Sequence, residues 1–244
     1  MYIFLRLLLA HFIGDFPLQT NKIYEVKTKS LSGIFYHTSI ITLCFILFSW
    51  PYLDRPIMWL FIAVNALEHF LQDKIKIDLS KKTTNQLLAY IADQGMHLLT
   101  IAIIFLMPIK NFTAPAAHGN MFIHLFNDDI FIIKLIAIIA ASYNAHFFII
   151  LFKRDFFHIK EPCTSFEKGY GICERACIVA FLFLSKPFIF LIPLIIFLRP
   201  ILYQFGKKPF HLNKHFYSAQ EMLLTSIFSL TFGVGALIFI QLIY

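Results

Sequence analysis

The chain has 244 residues, of which 59% are hydrophobic and 14% charged, with a formal net charge of +7 and a mean hydropathy of +0.72. Soluble domains carry about a quarter charged residues, so this chain holds more apolar side chain than a water-soluble fold can hide, and a lipid-solvated one is expected. The basic residues lie between apolar segments and build no basic domain, which sets aside a nucleic-acid partner and favours anionic lipid headgroups.

A bilayer core takes about 20 apolar residues per helix, and on that measure the sequence predicts an all-α, polytopic helical bundle of six or seven transmembrane helices. The first runs from Tyr2 to Leu18; it carries His11 and Asp15 and lacks a small-residue cleavage site, so it reads as retained. The second runs from Leu31 to Trp50 and stops at Pro51; the third spans Pro56 to Asp73; the fourth spans Thr84 to Met107, before Pro108. A polar loop over 111–129 separates this four-helix core, residues 1–110, from C-terminal helices over 130–244 of the same domain. The fifth helix is expected over Ile130 to Phe152, the sixth over Glu174 to Leu198 with a kink at Pro187 or Pro193, and the seventh over Ala219 to Tyr244. The four cysteines, at 44, 163, 173 and 177, form no CxxC pair and are expected as reduced thiols.

Lysine and arginine in the loops set the orientation. Lys22, Lys27 and Lys29 follow helix one, Lys74, Lys76, Lys81 and Lys82 follow helix three, and Lys153, Arg154, Lys160 and Lys168 follow helix five. These loops are expected on the cytoplasmic side. Lys207, Lys208 and Lys214 after helix six break the pattern, so either that helix is a hairpin or this end is misread.

Ionisable groups inside spans are expensive and mark function. His11 and Asp15, His69 and Asp73, and Asp93 and His97 are each four residues apart, so each pair shares a helix face. His37 opens the second helix. All seven lie toward the same end of their helices, where four His and three Asp can pool. Imidazole and carboxylate are the usual ligands of zinc, manganese or iron, and seven such groups exceed the needs of one tetrahedral ion. A single pair would be an ordinary intrahelical hydrogen bond and a lone polar residue helix–helix glue; three pairs and His37 at one depth favour a shared metal or proton site. Gln19, Gln94 and Lys76 are expected beside it, orienting ligands or meeting substrate. A weaker element is Gly169-Tyr170-Gly171-Ile172-Cys173-Glu174-Arg175, read as a turn before helix six whose Arg175 clamps an anion or, more simply, as a capped helix start.

The segments LLLAHFIGDFPLQTNK, EHFLQDKIK and ADQGMH resemble a bacterial family known as domain of unknown function 3307, with looser likeness in KGYGICERACI and SAQEMLLTSIFS. The resemblance implies a multi-pass protein of the bacterial cytoplasmic (inner) membrane, similar to inner-membrane metal-dependent hydrolases, and implies no established activity. The resulting expectation is a metal-dependent hydrolase of a phosphoester or phospholipid. His11, Asp15, His37, His69, Asp73, Asp93 and His97 would hold one or more divalent ions, zinc or manganese. Asp93, His97 and Asp73 would serve catalysis, with Asp93 as general base. A metal-ion or proton transporter, and a scaffold with a structural metal, are the alternatives. Membrane lipids are the expected surroundings.

Overall fold

A computed structural model of the chain describes residues 2–80, 82, 85–107, 119–159, 164–184, 186–206 and 219–244. Among these residues every regular element is helical. Cys163, Pro108 and the lysines at 81, 160, 207, 208 and 214, named above, lie outside the described residues, as does Thr84, the expected start of helix four. Four segments, Leu31–Phe48, Gln86–Leu106, Asp129–Phe157 and Gln220–Ile243, are long and apolar enough to cross a membrane, and on that ground we read the chain as a helical membrane protein. It divides into two compact units, Met1–Ile132 and Ile133–Tyr244.

The first unit contains α1 (Tyr2–Asp15), α2 (Asn21–Lys29), α3 (Leu31–Phe48), α4 (Pro56–Ser80), α5 (Gln86–Ala102) and the short α6 (Met121–Asn127). The first helix ends at Asp15, three residues before its expected end, because Pro17 disfavours a helical Phe16. The stretch expected as a plain basic loop instead folds as α2, capped by Thr20, whose side chain accepts from the Ile23 N–H. Ser30 is both the C-cap of α2 and the N-cap of α3, accepting from the Gly33 N–H at 3.0 Å. No side chain larger than hydrogen fits at Gly33: a Cβ there would overlap the backbone of Val26, so this glycine lets α2 fold back against α3. Pro56 occupies the first turn of α4, where its missing N–H costs nothing. Helix α4 continues past the expected end at Asp73 to Ser80.

Each of α1, α3, α4 and α5 is divided along its length. Toward one end lie Leu7, Ala10, Ile41, Phe45, Phe61 and Ile101, the centre of one apolar cluster. Toward the other lie Asp15, His37, Asp73 and Asp93. The alternating direction of the helices puts all four apolar ends together and all four polar ends together. Beyond the apolar cluster Arg6 is fully buried and fully engaged: it pairs with Asp129, donates to the carbonyls of Phe126 and Tyr2, and lies over the Tyr2 ring.

The second unit is built from the remainder of α7 (Asp129–Ile139), a π-helical turn over Ala140–Asn144, α8 (Ala145–Phe157), α9 (Ser165–Phe183), α10 (Lys186–Ile189), α11 (Ile192–Gly206) and α12 (Ala219–Ile243). The expected sixth helix is corrected twice. It begins at Ser165, where Thr164 and Glu167 form a reciprocal capping box, so Gly169 to Arg175 lie inside α9 and form no turn at its start. It also breaks after Phe183. The Tyr170 hydroxyl reaches the Ile195 carbonyl at 3.5 Å and Arg199 meets Glu174, so α9 and α11 lie side by side as a hairpin would place them. Val179, Ala137 and Ala141 form the core of this unit, and Gly233 of α12 lies directly against Leu182.

Candidate metal centre

The seven His and Asp residues singled out from the sequence converge in the first unit, and all are buried. Helix α1 supplies His11 and Asp15, α3 His37, α4 His69 and Asp73, and α5 Asp93 and His97. The i, i+4 spacing does what helix geometry requires: both members of each pair project from one face into the bundle.

Three donor atoms form a tight triangle. His37 Nε2 is 3.3 Å from His69 Nε2 and 3.7 Å from Asp73 Oδ2, and His69 Nε2 is 3.3 Å from that oxygen. Asp15 Oδ1 lies 3.1 Å from His37 Nε2. Ligands at 2.0–2.1 Å from a tetrahedral zinc are ~3.3 Å apart, so the triangle has the edges of a zinc coordination face. Two imidazole nitrogens that face each other this closely share one proton in a hydrogen bond or direct both lone pairs at a cation. Asp15, His37 and His69 form one group whose donor atoms all lie within 4.8 Å of one another; His69, Asp73 and His97 form a second.

Deeper in the bundle, His69 and His97 stack with ring centroids 4.3 Å apart, and His11 lies 5.1 Å from His97. Between His11, His69, His97, Asn65 and Thr100 is a cavity of about 10 Å³, roughly the 10–15 Å³ that one water needs. His11 Nε2 is buried without a hydrogen-bond partner among the described residues, while His97 Nε2 lies 3.5 Å from Asp93 Oδ1. A buried polar atom in the state of His11 Nε2 calls for a ligand or a water. The residues present therefore fit a small cation on two grounds, the spacing of the triangle and the orphaned nitrogen of His11.

Electrostatics agrees in part. Asp15, Asp73 and Asp93 face two ammonium groups. Lys27 Nζ lies 2.6 Å from Asp73 Oδ1 and 3.9 Å from Asp15 Oδ1, and Lys76 Nζ lies 2.5 Å from Asp93 Oδ2. With neutral imidazoles one negative charge is left over in a buried setting, where an unpaired charge is strongly unfavourable. A bound cation or one protonated imidazole removes it.

Lys27 is the residue that sequence reasoning missed. It served there only as a loop charge, yet its side chain is 5% exposed and spans Asp73 and Asp15. The available signal was the alternation of polar and apolar residues in Asn21–Lys29, an amphipathic helix too short to read as a span. The other expected neighbours divide. Gln94 donates to Asp15 Oδ2 at 3.1 Å and Asp93 Oδ2 at 3.3 Å, and Lys76 holds Asp93, so both join the cluster. Gln19 donates to the Asp15 carbonyl, within its own chain turn. Gln72 was not foreseen; it donates to Thr100 at 2.9 Å. Arg175 belongs to the second unit, where its buried guanidinium donates to the Ser142 carbonyl at 3.0 Å, so the expected anion clamp is instead a brace for the π-helical turn. Glu221 and Thr225 of the second unit meet Arg199, and Glu221 also meets Lys153.

Fold and cluster define a helical membrane protein with a buried His/Asp centre in its N-terminal unit. The chain belongs to the family described as "Protein of unknown function (DUF3307)", whose model matches residues 3–126, half of the chain. That match takes in all seven His and Asp residues, whereas KGYGICERACI and SAQEMLLTSIFS lie outside it. No curated protein and no solved structure matches the chain.

Proposed function

We propose that this protein is a metal-dependent hydrolase of the bacterial inner membrane. In this reading it holds a divalent ion, zinc or manganese, among His37, His69, Asp73 and Asp15, with His11 and His97 as a second ligand group. The observation that carries the reading is the triangle of His37, His69 and Asp73, with edges of 3.3, 3.3 and 3.7 Å. A divalent ion there would lower the pKa of a bound water and polarise a phosphoryl oxygen. Asp93 stands outside the triangle; Lys76 and Gln94 hold its Oδ2, and its Oδ1 lies 3.5 Å from His97 Nε2. In this reading Oδ1, with His97 beside it, takes a proton from an attacking water, the role of a general base. The substrate in this reading is a phosphoester that meets the centre at the half-exposed side of Lys76 and Gln94, because the inner cavity holds no more than one water or ion. Adding α1 and α4 to the four long apolar segments gives six spans, and counting the α9–α11 region as one more gives seven, the six or seven spans of this proposal, with the centre toward the cytoplasmic face.

The apolar cluster counts against the transporter alternative. Leu7, Ile41, Phe45, Phe61 and Ile101 close the bundle beyond His11, Asn65 and Thr100, so the polar run opens to one side only. Proteoliposome flux of divalent ions is expected to be flat. Lys27 favours a different second reading, a metal-free core in which its ammonium group neutralises Asp73 and Asp15.

Elemental analysis decides between them. Protein purified in detergent without chelator is expected to carry one or more equivalents of transition metal, lost in His69→Ala and Asp73→Asn. Phosphoester turnover by the loaded protein should then fall about 10²–10⁴-fold in Asp93→Asn. Wild-type protein free of metal would overturn the proposal in favour of the lysine-neutralised core.

A further inference from the structure

Two hollows lie along the same face of α3 and α4. The first, about 180 Å³, is lined by Lys27, Lys29 and Ser30 at the α2–α3 junction and by Lys74 and Asp78 of α4. The second, about 540 Å³, is lined by Phe35, Leu43 and Ile46 of α3 and by Ala66, Leu67 and Phe70 of α4. On α3 the lining residues Leu31, Phe35, Thr38, Thr42 and Ile46 recur every three or four positions, which is one helical stripe. On α4 Ala66, Phe70, Lys74 and Asp78 do the same. The hollows are therefore two levels of one cleft, cationic and hydroxylic at the helix ends and apolar farther along.

We infer that this cleft binds one anionic phospholipid, its phosphate in the lysine-lined hollow and an acyl chain in the apolar groove. Three observations select that occupant. The groove runs from Phe35 to Ile46, ~17 Å at 1.5 Å per residue, close to half of a hydrocarbon core about 30 Å thick. Its volume falls within the roughly 300–1,000 Å³ of small-ligand sites. The end where a phosphate would lie carries three lysines and the N-terminal turn of the 18-residue α3, which favours an anion. Among the described residues Lys29 and Lys74 pair within their own helices, with Glu25 at 2.5 Å and Asp78 at 3.0 Å; both are exposed pairs of the weak kind, so either ammonium group can turn to a phosphate. Thr38 lines the groove, its hydroxyl buried without a hydrogen-bond partner among the described residues. Lys27 lines the lipid hollow and also reaches Asp73 and Asp15, so an anion in the cleft would compete for the same ammonium group. The site itself does not depend on whether the His/Asp centre holds metal.

The test uses full-length protein stripped of lipid in detergent, titrated with phosphatidylglycerol or phosphatidylcholine and read by native mass spectrometry. One phosphatidylglycerol is expected to remain bound in preference to phosphatidylcholine. The exposed double variant K29Q/K74Q should weaken that binding about tenfold or more, and A66W, which fills the groove, should lose both lipids. Helical circular dichroism checks that each variant is folded; if A66W fails that check, K29Q/K74Q decides. Equal retention of the two lipids, or unchanged binding in K29Q/K74Q, would overturn the inference. So would inorganic phosphate displacing phosphatidylglycerol at matched concentration, which would make this a phosphate site with no use for the chain.

Discussion

The two units bury charge in opposite ways. In the second, Arg199 meets Glu174, Glu221 and Thr225, Lys153 meets Glu221, and the buried Arg175 is held by the Ser142 carbonyl, so each of these cations has its donors engaged. In the first, three carboxylates face two lysines, and His11 keeps a ring nitrogen without a hydrogen-bond partner among the described residues. A guanidinium fixed between carboxylates has its donors committed in planar geometry. An imidazole with a free nitrogen and a surplus of nearby negative charge is a ligand in waiting. The contrast teaches that buried polarity alone does not mark a site: a brace has its charged donors committed to partners, and a centre keeps ligand atoms open beside surplus negative charge.

The largest effect that would sharpen this contrast is expected at Glu174. Glu174→Ala removes the nearer of the two carboxylates on the Arg199 guanidinium, which is 1% exposed, and should destabilise the protein by about 3 kcal/mol. Thermal unfolding in detergent would show it, while the metal content of the folded fraction stays at the wild-type value. A Glu174→Ala protein as stable as wild type would break the reading of the second unit as a closed network.

Gly33→Val comes next. The added side chain overlaps the Val26 backbone, which cannot give way as a flexible side chain could. The expected cost is about 1–3 kcal/mol. Because α2 carries Lys27, limited proteolysis should open Asn21–Lys29 before any other described helix of the first unit. Protection of α2 equal to wild type would show that its docking does not depend on this glycine.

How much of this could be read from the sequence follows the same division. The seven His and Asp residues were legible because a 3.6-residue period forces i, i+4 groups onto one face, and because such groups are rare in apolar spans. Lys27 was not: a lysine between spans is normally a topology marker, and nothing local says that a nine-residue helix folds back through Gly33. The second unit was read least well. Glu174 and Arg199 lie 25 residues apart and meet only because the expected single helix breaks after Phe183, so neither residue carried a local signal of its partner. The capping box at Thr164 was visible as Thr-x-x-Glu, but the glycines of Gly169 and Gly171 drew the helix start to the wrong place.

Lys27 provides the sharpest test inside the first unit. Lys27→Met removes the cation that competes for Asp73 and Asp15. An opposite charge within ~4–6 Å shifts a carboxylate's proton affinity tenfold or more, and divalent metal affinity should rise by about tenfold for the same reason. Metal titration of the stripped protein measures it. Lower affinity together with a lower melting temperature would favour the metal-free core, in which Lys27 itself is the stabilising cation.

The smallest effect on metal affinity is expected at Lys76, and its smallness is informative. Its ammonium group lies 2.5 Å from Asp93, as close as that of Lys27 is to Asp73, yet its side chain is 29% exposed against 5% for Lys27. The Asp93 side chain is only 3% exposed, so Lys76→Met leaves a buried carboxylate short of its cation and should lower the melting temperature. Metal affinity should nonetheless hold near its wild-type value, since Asp93 lies outside the His37–His69–Asp73 triangle. If Lys76→Met instead raised metal affinity as much as Lys27→Met, Asp93 would be a ligand and not a base. The triangle would then be one face of a larger centre spanning all four helices.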